Sequence, residues 1–137
     1  MSSGKIQWQE EYALGIEELD RQHQVLFEIH SHLVDLLHAR SDSRQMQRVV
    51  QALMKYATVH FEYEEYFFRD RVGLSEHAAR HAEFLGKLTG TADRLQSGVI
   101  TGWDLAKMVG AWIHEHVLED DITLVNAPVA ASDTGRS

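Results

Sequence analysis

The residues with the means to do chemistry here are histidines and carboxylates. The 137-residue chain holds nine histidines and no cysteine. Without thiols there is no disulfide framework, iron–sulfur cluster or thiol nucleophile to consider. Imidazoles ligate metals or move protons, so their spacing decides what they are for. Residues four apart on an α-helix lie about 40° apart around its axis, nearly on one line. His60 and Glu64 have that spacing, and so do His77 and His81. The His77–His81 line continues into Phe84, Leu88 and Leu95, all within about 60° of it, so the pair occupies a core face. His116 shares a face with Leu105, Val109, Trp112 and Ile113. His23 shares one with Leu26, Phe27, His30, Val34 and Leu37.

A single histidine on an apolar face is usually a hydrogen-bonded core residue. Five of them on four helices argue otherwise. Burying that many imidazoles unpartnered would cost on the order of 1–3 kcal/mol each. A shared metal centre satisfies all of them together. Imidazole plus carboxylate without thiolate suits iron, manganese or zinc. Five histidines and two carboxylates exceed one tetrahedral zinc and suit two ions that share carboxylate bridges. His77-Ala78-Ala79-Arg80-His81 has alanine where a zinc metalloprotease needs its glutamate, which excludes that motif. The Glu-x-x-His pattern of ferritin-like di-iron bundles is also absent from the chain.

Four helices must carry these residues. The one proline, Pro128, stands near the end, which leaves the preceding chain free to form uninterrupted helices. Helical apolar periodicity predicts a first helix from an N-cap at Asp20 to about Ala39. After the break at Ser41-Asp42-Ser43, a second runs to about Asp70. Gly73 is expected as a C-cap and Ser75 as the next N-cap. A third helix then runs from Glu76 to Gln96 and a fourth from Gly102 to Val125. Residues 1–18 lack a helical period and read as an extended arm, whose Ile6, Trp8 and Tyr12 should pack on something. Residues 126–137, rich in small residues, read as a disordered tail. Short connections imply antiparallel neighbours, so the expected fold is all-α: an antiparallel up-down-up-down four-helix bundle over 19–125 with an N-terminal arm.

Charge narrows the partners. A formal net charge of −8 argues against nucleic acid, which needs a basic face, and against anionic membrane surfaces. No apolar run approaches the roughly 20 residues of a membrane span. The first residues carry no apolar signal-peptide core, so a cytoplasmic protein is expected. Monomer is the default.

These motifs, in this order, resemble those of the hemerythrin family, in its single-domain bacterial form. The similarity covers about residues 5–125. It includes Ile6-Gln7-Trp8, the run Leu14-Gly15-Ile16-Glu17-Glu18-Leu19-Asp20-Arg21-Gln22-His23, and His60-Phe61-Glu62-Tyr63-Glu64-Glu65. His77 with His81, and Trp112-Ile113-His114-Glu115-His116-Val117-Leu118-Glu119-Asp120-Asp121, complete it. The resemblance implies a non-haem diiron centre with an oxo or hydroxo bridge that binds dioxygen reversibly, for storage, transport or delivery to an oxygen-consuming enzyme. It implies that His77, His81 and His116 ligate one iron and His23 and His60 the other, with Glu64 and Asp121 bridging. An oxidase, a peroxide- or NO-handling enzyme and an oxygen or redox sensor are the alternatives at the same site. No acid clearly placed as a proton donor, redox-partner motif or signalling domain is visible to favour them.

One residue is contested. On a regular helix Asp120 lies about 40° from His116 and Asp121 about 140° away. Helical geometry chooses Asp120; the family pattern chooses Asp121, which is followed here. A longer lateral reach or a local widening of the helix would reconcile them. Leu26, Phe27, Phe61, Trp112 and Ile113 are the expected wall of the open iron position, besides being core. His30 is expected to make an interhelical hydrogen bond or to lie half-exposed, with a pocket role as the alternative. His32 and His114 should be solvated. His38, roughly 22 Å along the axis from His23, is too far to ligate. Glu62 and Glu65 read as surface charges, and Tyr56 and Tyr63 as packing residues.

Overall fold

The computed structural model describes residues 4–40 and 42–130. Helix α1 spans Glu17–His38, α2 Ser43–Phe67, α3 Leu74–Gln96 and α4 Gly102–Glu115. A π-helical stretch, His116–Asp120, carries α4 directly into the short α5, Asp121–Val125. Helix α1 packs on α2 and on α4, and α3 packs on both of these, which closes a four-helix bundle. Among the described residues there is no strand, only one isolated bridge between Arg71 and Val129. No helix among them is long and apolar enough to cross a membrane.

Local chemistry sets the helix ends. Asp42 accepts a hydrogen bond from the backbone N–H of Gln45, whose side chain answers to the Asp42 N–H. Thr101 and Asp104 form the same reciprocal cap at α4. Each pair satisfies two amide groups that the first helical turn leaves open. Three expected caps are corrected, Asp20, Ser75 and Gly73, the last expected to close α2, whose C-cap is Phe68. Asp20 lies inside the first turn of α1, and its carboxylate reaches back to the N–H groups of Leu14 and Gly15 at 2.7 and 3.2 Å. The chain thereby turns sharply into a helix that starts at Glu17. Ser75 is already helical. Gly73, with φ of +93°, is the residue that enters α3, because only glycine adopts that backbone without a Cβ penalty. Helix α2 ends at Phe67, three residues before the expected Asp70.

The N-terminal residues do pack. Trp8 stands edge-on to Tyr12 and Phe27, and Tyr12 stacks on Phe27 with ring centres 5.7 Å apart. The other end is anchored as well. Residues 126–130 begin the segment expected to be disordered, yet Arg71 donates to the carbonyls of Val125 and Ala127 at 2.6 and 2.9 Å. The Val72 N–H donates to Pro128 O. The rest of that expected tail, 131–137, lies outside the described residues.

Apolar side chains from all four helices fill the bundle, among them Leu33, Leu53, Leu88 and Leu105, each at most 2% exposed. A smaller cluster of Leu19, Phe68 and Leu124 closes one end. Between the two lies a polar layer.

Candidate metal centre

That layer forms where the early turns of α1 and α3 meet the late turns of α2 and the α4–α5 junction. His23, His60, Glu64, His77, His81, His116 and Asp121 all converge there, none more than 2% exposed. Their ligating atoms form two overlapping groups, each within 4.8 Å: His23, His60, Glu64, His116 and Asp121, and Glu64, His77, His81, His116 and Asp121.

Glu64 divides the histidines. Its Oε1 faces Nε2 of His77, His81 and His116 at 2.8, 3.1 and 3.5 Å. Its Oε2 faces Nε2 of His23 and His60, both at 3.5 Å. Asp121 touches both groups but divides them differently, with Oδ1 3.0 Å from His77 and Oδ2 2.6 and 3.0 Å from His23 and His116.

Asp121 reaches the layer because of the π-helical stretch. One extra residue in the turn moves its side chain inward and turns Asp120 outward, where Asp120 pairs with Arg80 at 3.5 Å. Of the two ways to reconcile the spacing of five with a shared site, a longer reach and a local widening, the widening is the one present between His116 and Asp121.

Two of the imidazoles have an assignable tautomer. The Glu18 carboxylate can only accept, so it receives the Gln22 amide N–H at 3.0 Å. Gln22 Oε1 must then face His60 Nδ1, 2.6 Å away, which therefore donates. That leaves the His60 Nε2 lone pair directed into the layer. Glu65 does the same for His81, accepting from Nδ1 at 2.8 Å. Glu65 is thus corrected from a surface charge to a partner of the site. Gln22 was missed altogether. The available signal was its place beside His23, one residue from that apolar stripe, but an amide announces no role until its partner is known. Glu62 is exposed, as expected.

The electrostatics are those of a cation site. Burial pulls the His23 imidazole down, but Asp121 and Glu64 outweigh it and raise its pKa to about 9. His77 is raised to about 9 by the same balance. Burial, joined by the charges of His23 and His116, pushes His60 down to about 3. Burial alone would raise Glu64 and Asp121; the surrounding imidazoles, His116 foremost, hold both below the ordinary carboxylate range, Asp121 at about 2.

Hydrogen bonds within the layer remain incomplete. His23 Nε2, His81 Nε2, Glu64 Oε2 and both Asp121 oxygens are buried without a hydrogen-bond partner. The short His23–Asp121 approach lies off hydrogen-bond geometry. These residues all belong to the two groups whose ligating atoms lie within 4.8 Å of one another. Such atoms would cost about 1–3 kcal/mol each if left so, and cations held among them would satisfy them. The donor set fits metal ions that take nitrogen and oxygen ligands.

The expected wall residues divide into two kinds. Phe61 stacks on His81, with ring centres 3.9 Å apart and planes within 5°, and Trp112 stacks on His116 at 4.6 Å. Both therefore hold rings of the three-histidine group. Leu26, Phe27 and Ile113 are buried in the adjoining core, and Phe27 also meets Trp8 and Tyr12. Of the other histidines, His30 is buried and its Nε2–H donates to Ala106 O at 2.9 Å, joining α1 to α4. His32, His38 and His114 are exposed. His38 lies edge-on to Trp103 and His114 to Tyr12. Tyr56 packs at the edge of the core, and Tyr63 is exposed beside Phe67.

Residues 14–127 match the hemerythrin HHE cation binding domain. A bacteriohemerythrin of Clostridium acetobutylicum is 30% identical over 124 residues, 83% of this chain and 94% of that protein. Bacteriohemerythrins of Pseudomonas aeruginosa PAO1 and Stenotrophomonas maltophilia are 28% identical over 123 residues and 26% over 119. The first match covers 88% of this chain and 79% of that protein, the second 83% and 75%. No solved structure matches the chain significantly. With the match spanning the bundle and every cluster residue inside it, this chain belongs to the hemerythrin family.

Proposed function

We propose that the protein holds two iron ions in this layer and binds dioxygen reversibly, as a carrier or store rather than an enzyme. His77, His81 and His116 would hold one ion and His23 and His60 the other, with Glu64 and Asp121 spanning both. The observation that carries the reading is the split at Glu64: one oxygen toward three imidazoles, the other toward two. Seven ligands so divided leave the His23–His60 position one protein donor short of its neighbour. A small ligand would find its place there. When bound, the iron pair supplies the electrons that dioxygen uptake requires.

The protein's part is to hold this site dry and to offset part of its charge. Two carboxylates cancel two of the positive charges that a pair of iron ions would bring, and neutral imidazoles add none. Gln22 and Glu65 keep the Nδ1 protons of His60 and His81, so both rings meet the ions through Nε2. Phe61 and Trp112 fix ring planes by stacking. Leu26, Phe27 and Ile113 exclude water, which limits side reactions of a bound ligand.

Metal analysis and a cycling experiment test this. The purified protein should contain about two irons per chain. Reduced anaerobically and then exposed to dioxygen, it should develop a visible charge-transfer band that vanishes on deoxygenation and returns over repeated cycles. A different metal content would reject the reading. So would steady consumption of reductant with no persistent band, which is the behaviour of an oxidase.

A further inference from the structure

Two rings of the cluster are backed by unlike partners. His60 donates from Nδ1 to the neutral amide of Gln22, at 2.6 Å and fully within the core. His81 donates from Nδ1 to the carboxylate of Glu65, at 2.8 Å, with Glu65 half-exposed at the surface. The two rings lie in the two different ligand groups. We propose that this difference is a tuning device: Glu65 makes the three-histidine position the more electron-rich of the two, and Gln22 keeps the two-histidine position electron-poor. The inference rests on the diiron reading above and concerns how that same site is regulated.

The physical reason is hydrogen-bond polarity. An anionic acceptor draws the Nδ1 proton away from the ring more strongly than a neutral one, roughly doubling the strength of the bond. The ring's Nε2 becomes a better donor, and a better donor favours the more highly charged ion it faces. Glu65 therefore favours the oxidised state beside His81. Gln22 withholds that push from His60, beside the position left open for a ligand. An amide there keeps the ferrous state accessible, which reversible binding needs. The arrangement at Gln22 is built: Glu18 orients the amide at 3.0 Å, so the oxygen cannot flip away from His60. Gln22 and Glu65 are positioning residues, since both act through a histidine.

Charge-swapping variants at both positions test it. In Gln22→Glu a carboxylate replaces the amide behind His60; in Glu65→Gln an amide replaces the carboxylate behind His81. Each keeps an acceptor of the same length, and Gln22→Glu is made together with Glu18→Gln, whose amide can donate where two carboxylates would otherwise face each other at 3.0 Å. Spectroelectrochemical titration of the iron-loaded proteins should show the midpoint potential falling in Gln22→Glu and rising in Glu65→Gln. Potentials equal to the wild type in both, or shifts of the same sign, overturn the proposal. Gln22→Ala, which lacks any acceptor, should weaken iron binding at one position by roughly tenfold to a hundredfold, with Gln22→Glu restoring it. Iron affinity unchanged in Gln22→Ala overturns the positioning role. Should Gln22→Ala unfold, the half-exposed Glu65→Gln still decides the sign of the shift. Wild-type protein without about two irons per chain would instead fail the diiron reading itself, a result separable from these shifts.

Discussion

His116 and Asp121 are five residues apart and face the same buried point, with Nε2 and Oδ2 3.0 Å apart. On a regular helix they would lie about 140° from each other. The π-helical stretch between them absorbs one residue and closes that angle. Asp120, the residue a regular helix would choose, pairs outward with Arg80 instead.

The two aspartates should therefore behave oppositely. Asp121→Asn is expected to lower iron content toward one ion per chain or fewer and to abolish the dioxygen-dependent band. Asp120→Asn should keep both, because its partner is a surface arginine and such pairs contribute about 0–1 kcal/mol. Iron analysis and absorption spectra of the two variants check this. Loss of the centre in Asp120→Asn with its retention in Asp121→Asn would reverse the assignment.

The metal-free protein should lose stability in alkali. His23 and His77 titrate near 6.5 unfolded and near 9 folded. Their contribution is complete below about 6.5 and is lost as pH rises through about 9. The signs reverse on the acid side. His60, depressed to about 3, and Asp121, at about 2, contribute above their ordinary values of 6.5 and 3.8 and lose that contribution as pH falls through the depressed ones. Metal must displace the protons on His23 and His77, so loading near neutral pH should release about two protons per site. Denaturant titrations of the metal-free and iron-loaded forms between pH 6 and 10, with proton release read by an indicator dye, provide the measurement. The iron-loaded form should lack the alkaline decline.

Gly110 should not tolerate a side chain. A Cβ there would sit 2.7 Å from His30 Nε2, the atom that donates to Ala106 O between α1 and α4. Both helices are fixed by the core, so the ring has little room to withdraw. Gly110→Ala should cost about 1–3 kcal/mol of stability despite the better helix propensity of alanine, with iron content unchanged. Urea unfolding of the two proteins reads the difference.

Ile113 stands one turn before His116 and is fully buried. Ile113→Thr should admit water beside the cluster while keeping its shape close to the original. Cycling between oxygenated and deoxygenated protein should then fail several-fold sooner than in the wild type, since an apolar lining limits side reactions. Equal lifetimes of the band in the two proteins would show that Ile113 serves packing alone.

Much of this was legible in the chain. His60 with Glu64 and His77 with His81 are local pairs, fixed by helical geometry as soon as the helices exist. The apolar stripes that carry them also dictate which way they face, and the missing prolines allow helices long enough to span a bundle. Spacing along one helix, however, says nothing about what lies opposite. Gln22 and Glu65 became partners of the site only when α1 met α2 and α2 met α3, because a hydrogen bond of under 3 Å requires two backbones at a set distance. The anchoring of 126–130 by Arg71 likewise depends on a residue more than fifty positions away. Asp121 is the clearest case. Sequence periodicity assumes a constant turn, and the structure changes the turn at that place, where several buried imidazoles gain more from a carboxylate than the helix loses by widening.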